Sequence, residues 1–423
     1  MKTPKTKLSK ELDYLKNELH KRGYPFDKYK NHSFLLPLEP SDPPEPNFTE
    51  LLDELYRQTV GGRTKADAEE LKRHWVYFLL GLSGSVITHK WLTVFLTKSD
   101  YSKTNSWLKE FNFKDNTVRR IVEHLEKAQL AVVLKGAPYK NEPMRTRIYP
   151  TPDFAVQILP FYLSSRESFH GNYLEITPDH DREPVDKIDW QKEFKGQLKD
   201  TEDHEHLNRI NEYLKEQHWA CTGPVVLEYK KKPFHSGRLY TRYQQLPDRH
   251  YKIRINTLVN NEPICEVDLN ANHLRLAMAV LHEEDAGDTP YEDIMWLADI
   301  QDRDLVKSFF MTAIGASSRS SAHSRWNLNS GGTDNFRKIE NAVIRRFPDL
   351  KLYDNWGISA RNLEGAILRE VMLAGIKKDI VVLPVHDAVA VQQRHEGWAV
   401  DAMLESWNKH VGHDFARVKV DRP

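Results

Sequence analysis

The sequence predicts an α+β protein, on three observations. Two apolar runs of strand character, ICEVDL (264–269) and VVLPVHDAVAV (381–391), are each interrupted by a carboxylate, Asp268 and Asp387. Directly after Asp268 the apolar spacing changes to a helical period, with Leu274, Ala277, Met278 and Leu281 following an i, i+3, i+4, i+7 course. Upstream, over 115–150, the pattern runs helix, strand, basic loop, strand. Four regions follow: 1–50, a helix and a Pro-rich linker; 51–165, a helical domain ending in that helix–strand–strand pattern; 166–210, a polar linker; and 211–423, the core that carries both aspartates.

Composition narrows the class. The 423 residues are 39% hydrophobic and carry 61 basic against 61 acidic side chains, so any nucleic-acid surface must be local. Cys221 and Cys265 match no zinc spacing and suggest no disulfide framework. The Lys-rich start lacks the apolar core of a signal peptide, and no run of about 18 apolar residues could span a bilayer. The expectation is an intracellular, cytoplasmic protein with no membrane partner.

In LSKELDYLKNELHKRG, Leu8, Leu12, Leu15 and Leu19 make an apolar stripe that suits docking to a partner helix or self-association. PLEPSDPPEP then places five prolines between Pro37 and Pro46, which predicts a stiff extended linker. In DNTVRRIVEHLEKAQLAVVLKG, Asp115 or Asn116 can cap a helix whose Val118, Ile121, Val122 and Leu125 share one face. LAVVLKG and MRTRIYP read as strands, and the whole as a winged-helix pattern, a helix-turn-helix variant. Its opposite helix face carries Arg119, Arg120, His124 and Lys127, and its loop Lys140, Arg145 and Arg147, as phosphate contacts would. A solvated helix beside an ordinary hairpin has the same pattern. The acids and histidines within 166–210 have mixed signs and no ligand spacing, as a solvated surface does. From 221 to 260, eight Lys/Arg stand against two acids (Glu228 and Asp248) among interleaved tyrosines, a track suited to a nucleic-acid backbone.

The core carries the chemistry. A carboxylate is rarely buried without a compensating charge. Asp268 ends a strand that enters a helix, and Asp387 falls in a hairpin, so the two can share divalent ions. Magnesium suits one or two carboxylates plus substrate phosphates. Between them, in DRDLVKSFFMTAIG, Arg303 and Lys307 lie four residues apart on one helix face, a plausible triphosphate clamp.

In this order the motifs resemble those of the A-family DNA polymerases, whose palm and fingers are shared with single-subunit phage RNA polymerases. SGRLYTRYQQLP (236–247) is similar to the family's TGRLS…LQN(I)P segment, EVDLNANHLR to DYSQIELR, DRDLVKSFFMTAIG to the R-x3-K-x6-YG helix, NLEGAILREVM to the QGTAADIIKxAM helix and VLPVHDAVAV to the closing VHDE hairpin. The resemblance implies a right-hand α+β fold, an antiparallel palm sheet with helical fingers, behind a helical/winged-helix N-terminal domain. It assigns Asp268 and Asp387 as ligands of two Mg2+ ions, which Mn2+ can replace, with help from the Leu269 carbonyl. It puts Arg303 and Lys307 on the incoming nucleoside triphosphate, His386 at the primer terminus, and Arg238, with Gln244 or Gln245 in support, on the primer–template DNA.

This sequence departs from the family at several positions. His273 replaces the Glu that disfavours ribose and Met311 replaces an aromatic that influences sugar choice, so dNTP or NTP use is open. Ile314-Gly315 stands for Tyr-Gly one residue early, Ala388 replaces the last Glu of VHDE, and Glu364 takes the place of a Gln. The implied activity is a template-directed DNA polymerase without proofreading, in replication of a phage or mobile element. A primase starting de novo on a single-stranded template, and an inactive DNA-binding initiator scaffold, are the alternatives.

Overall fold

The computed structural model describes residues 32–34, 38–40, 46–60, 65–88, 90–96, 113–136, 138–139, 142–143, 145–169, 173–177, 197–198, 201–247, 252–328 and 332–423. The leucine-striped segment, Lys140 and most of the acidic stretch before residue 197 lie outside them. The chain is mixed α+β and divides into two compact units. One comprises 1–169, 218–224 and 245–261; the other comprises 170–217, 225–244 and 262–423. Among the described residues no helix is long and apolar enough to cross a membrane.

The first unit holds strands β1 (His32–Phe34) and β2 (Leu38–Glu39) and helices α1 (Pro46–Val60) and α2 (Lys65–Thr88). Next come β3 (Trp91–Val94), α3 (Asp115–Lys127), β4 (Ala131–Leu134), β5 (Thr146–Pro150), α4 (Pro152–Ser164) and β6 (Arg166–Glu167). Its sheet runs β1-β3-β5-β4, parallel only between β1 and β3. The helix–strand–strand order expected over 115–150 is present, and Val118, Ile121, Val122 and Leu125 are buried as expected. The cap differs. Lys114 is the N-cap, without a side-chain cap bond, and Asp115 is the first helical residue, where its charge suits the helix dipole. Two stretches read as linker are structured: Leu38 is buried and β2 pairs with β6, because extended Pro-flanked backbone can still pair as an edge.

A polar cluster ties α2 to the start of α3. Glu70 accepts from the Thr117 hydroxyl at 3.1 Å and pairs with Lys114, while fully buried His74 meets the Glu70 carbonyl at 2.7 Å and the Lys114 amide at 3.2 Å. Burial pushes the His74 imidazole down to about 4. A depressed histidine stabilises the fold above its unfolded pKa of about 6.5 and loses that contribution as pH falls through about 4, up to ~3 kcal/mol. Urea unfolding of the wild type and of His74→Gln should therefore diverge in pH slope over that window, the variant being flatter; parallel slopes would assign the acid sensitivity elsewhere.

The second unit begins with β7 (Leu174–Thr177), α5 (Glu202–Lys215), β8 (Val226–Lys230) and β9 (Arg238–Tyr240). β7 and α5 fall largely within the region read as a polar linker; only alternate residues of β7 and one face of α5 are apolar, which hides both elements in a charged composition. Then follow β10 (Glu262–Leu269), α6 (Asn272–His282), α7 (Pro290–Ala298), α8 (Arg303–Ile314), α9 (Arg319–Leu328), α10 (Thr333–Arg346) and α11 (Gly357–Ile376). The unit closes with β11 (Leu383–Val385), β12 (Ala388–Gln392), α12 (Glu396–Val411) and β13 (Val418–Asp421). β11-β12-β10-β13 form an antiparallel sheet, and α12 packs on β10 and β12 with α11 against it. β12 is buried along its whole length, which explains its continuous apolar run. Leu274, Ala277 and Met278 are buried on α6, whereas Leu281, expected on the same face, is 44% exposed.

Candidate active site

Both aspartates are delivered by the antiparallel sheet. Asp268 lies opposite Ala388 on one side and Lys419 on the other. Val385 pairs with Ala388, so His386 and Asp387 form the two-residue turn of the β11–β12 hairpin. The Leu269 amide donates to the Asp387 carbonyl at 3.3 Å, which brings the turn alongside the end of β10. His386 takes φ +58°, a left-handed conformation that costs a non-glycine residue about 1 kcal/mol or more. Its backbone amide donates to Gln244 Oε1 at 3.5 Å, and its Nδ1 meets Arg238 Nη2 at 3.3 Å. Gln244 is 4% exposed, so it braces the turn instead of presenting an amide to nucleic acid as the sequence suggested. Gln245 is exposed and is not among the residues lining the pocket described next.

The turn, the end of β10 and helices α6, α7, α8 and α11 enclose an open pocket of about 410 Å³. Arg238, Asp268, Leu269, His273, Arg303, Lys307, Met311, His386 and Asp387, all singled out from the sequence, line it. Both aspartates are half-buried. Burial, then the charge of Asp387, pushes the Asp268 carboxyl up to about 7 against the pull of Lys307. Asp387 is raised as well, by burial first and then by Glu364, with His273 and Lys307 opposing. Among the described residues neither aspartate forms an ion pair, although Arg238, Arg303, Lys307 and Lys419 line the same pocket.

The donor set of the pocket bears on a metal. No group of three or more His, Cys, Asp or Glu side chains makes a cage among the described residues. Two carboxylates open to a pocket fit magnesium completed by phosphate oxygens, and do not fit zinc, which asks for three or four protein ligands.

Cations line the other walls. Arg303 and Lys307 are both exposed on α8; Arg303 donates to Glu292 at 2.6 Å and lies 5.2 Å over the ring of Tyr291. Met311, one turn further, is 48% exposed. Lys419 enters from β13, pairing with Asp421 at 2.7 Å.

Besides Asn270, Ala271 and Asn272, which follow β10 directly, three pocket residues were not read as site residues. Tyr291 is buried, and burial together with Asp387 raises its phenol well above the usual range. Glu364 is 3% exposed; His273 Nε2 meets it at 3.1 Å and Arg238 Nε lies 3.8 Å away. Lys419 is the third. Two signals were available: Glu364 interrupts the buried stripe of Ala360, Ile367 and Val371, and the alternation in VKVD sets Lys419 and Asp421 on one face.

Behind the pocket, Arg275 is 1% exposed and braces the turn after Asp268. Its guanidinium donates to the carbonyls of Asn270 (2.9 Å), Phe415 (3.2 Å) and Asp288 (3.3 Å) and to Asp285 (3.2 Å). Such a multiply bonded buried charge leaves several unpaired groups if it is removed.

The basic residues of the first unit fare unevenly. Lys127 and Arg119 are exposed, Arg119 donating to the Leu96 carbonyl at 2.7 Å, and Arg120 is half-exposed. Arg145 lies 4.5 Å over the Phe95 ring. Arg147, expected on the surface, is 6% exposed, in a strand buried at every residue. Searches of protein-family models and of curated proteins return no match to this chain.

A raised carboxylate pKa favours the fold below its unfolded value and withdraws that support as pH rises through the folded value. Without divalent ions, stability should therefore fall between about pH 4 and pH 7. Asp268→Asn should flatten this slope and raise the midpoint at pH 8; an unchanged slope would remove Asp268 from the account. Arg275→Gln should lower stability by about 3 kcal/mol or more in chemical denaturation, a loss below 1 kcal/mol contradicting its bracing role.

Proposed function

We propose that the chain is a template-directed nucleotidyltransferase of the A-family polymerase kind, adding nucleotides to a 3′-hydroxyl with release of pyrophosphate. The observation that supports this above others is the pocket itself: two aspartates raised by burial share one cleft with Arg303, Lys307, His386 and Arg238. A pair of like charges kept in a partly desolvated cleft is unfavourable for the fold, and sites of this kind are commonly functional.

On this reading Lys307, exposed on α8, neutralises the triphosphate, and Arg303 exchanges its bond to Glu292 for the phosphate oxygens. His386 and Arg238, in contact at 3.3 Å, hold the primer end beside the aspartates. Glu364 keeps Arg238 and His273 oriented from behind. Asp268 and Asp387 would hold magnesium, which when bound lowers the pKa of the attacking hydroxyl and stabilises the leaving pyrophosphate. The protein's own contribution is positioning and charge neutralisation. The helix–strand–strand segment of the first unit, with Arg119, Arg120, Lys127 and Arg145, supports a winged-helix-like DNA contact.

The test is extension of a labelled primer on a longer template with magnesium, in lanes with dNTPs, with NTPs and with an unprimed strand. Wild-type protein should extend the primer, and Asp268→Asn and Asp387→Asn should each reduce incorporation by about 100-fold or more while nucleic-acid binding persists. Lys307→Ala should raise KM for the triphosphate. Full activity in either aspartate variant would sink the assignment, and product on the unprimed strand would extend it to de novo priming.

A further inference from the structure

The turn joining β8 to β9 holds a feature that the pocket does not use. Phe234 at its tip is 55% exposed. The turn is nevertheless tightly held. Asn362 of α11 clasps it at both ends: its Nδ2 donates to the Phe234 carbonyl at 2.6 Å, and its Oδ1 accepts the Gly237 amide at 2.5 Å. Arg361 donates to the Ser236 hydroxyl at 3.2 Å, and the Lys230 amide donates to the His235 carbonyl at 2.8 Å. Helix α11 comes this close because residue 365 is glycine; a Cβ there would lie 2.5 Å from the Gly237 carbonyl oxygen.

Backbone conformation adds to the case. Lys231, Phe234 and Ser236 all have φ near +60° (63°, 60° and 60°), a region that side chains other than glycine occupy at a cost. Tyr229 backs the Phe234 ring edge-on at 5.7 Å, leaving the rest of the ring to solvent. A strained, multiply bonded turn thus holds a large apolar ring outward, where it gains little from burial. The surrounding charge is positive: Lys232 is exposed, and Lys231 and Arg361 are half-exposed. Arg238 of the pocket follows four residues after Phe234.

We propose that this turn is a stacking platform for a nucleic-acid strand, with Phe234 taking the face of a base and Lys231, Lys232 and Arg361 its flanking phosphates. An exposed aromatic among cations matches a strand that alternates π-faces with negative charges, whereas an apolar protein surface would leave the lysines unmatched. The inference rests on the nucleotidyltransferase reading for the placement of the strand at Arg238, but the binding it describes does not require catalysis.

The experiment is fluorescence anisotropy of the full chain with a labelled single-stranded oligonucleotide and with a primed template, over a range of salt. Phe234→Ala and Phe234→Leu should weaken binding about tenfold, and Phe234→Trp should restore it. Lys232→Ala should weaken binding and reduce the salt slope by about one. Circular dichroism melts check that the variants remain folded, as expected for an exposed side chain. Wild-type affinity in Phe234→Leu would show that the ring is not stacked on a base, and wild-type affinity in Phe234→Ala would remove the platform altogether. Primer extension is measured in parallel. Loss of affinity in Phe234→Ala without any extension by the wild type keeps the platform and discards the polymerase. Extension with no effect of Phe234→Ala does the reverse, and a wild type that binds no strand overturns the platform.

Discussion

The second unit gathers two carboxylates, Asp268 and Asp387, into one partly desolvated cleft. Asp268 and Asp387 stand at the end of one strand and in the turn of its neighbour, where the walls of the pocket remove much of their water and, among the described residues, neither forms an ion pair. Burial is the first reason both are raised; the Asp387 charge then adds to the effect on Asp268, and the Glu364 charge to the effect on Asp387. Lys307 opposes the rise of both, and Lys419 that of Asp268, without abolishing it. The arrangement is unfavourable on its own terms, and under the proposed function bound cations and phosphate would relieve it.

Maintaining that arrangement requires a stiff frame. The antiparallel sheet fixes the registers that bring Asp268 beside the hairpin, and the hairpin turn accepts a left-handed His386 to fit its two-residue span. Gln244 and Arg238 secure the turn from one side. Arg275 secures the other side, tying the backbone at Asn270 to the segments around Asp288 and Phe415. Each of these groups is itself bonded, so the strain of the pocket is held by a network and not by a single contact.

The pocket's walls differ in character, which suits a ligand with two kinds of end. Helix α8 offers exposed, extended cations that can exchange partners; α11 offers a buried carboxylate that cannot move. In the proposed reaction the first suits a triphosphate that arrives and leaves, and the second suits groups that must keep one orientation through every cycle. The clasp of Asn362 on the β8–β9 turn adds a second point at which α11 orders the surface, next to Arg238 in the chain.

Much of this was legible in the chain. The α+β character, the strand at Asp268, the hairpin at Asp387, the helix carrying Arg303 and Lys307 and the apolar face of α3 all follow from local periodicity, because backbone pairing and burial impose periods of 2 and 3.6 on the residues themselves. The same rule explains the failures. Arg147 sits in a run that reads as strand, but its burial comes from tertiary packing over β5 that the run does not record. Gln244 has a polar side chain whose partner, the His386 amide, is remote in sequence. Lys419, Tyr291 and Glu364 join the pocket from separate segments, and β7 and α5 are hidden in a charged composition that only their packing resolves. The sequence by itself determined which residues form elements and which carry charge. The tertiary structure alone decided which charges meet, since electrostatic coupling depends on distances in space that local periodicity does not record.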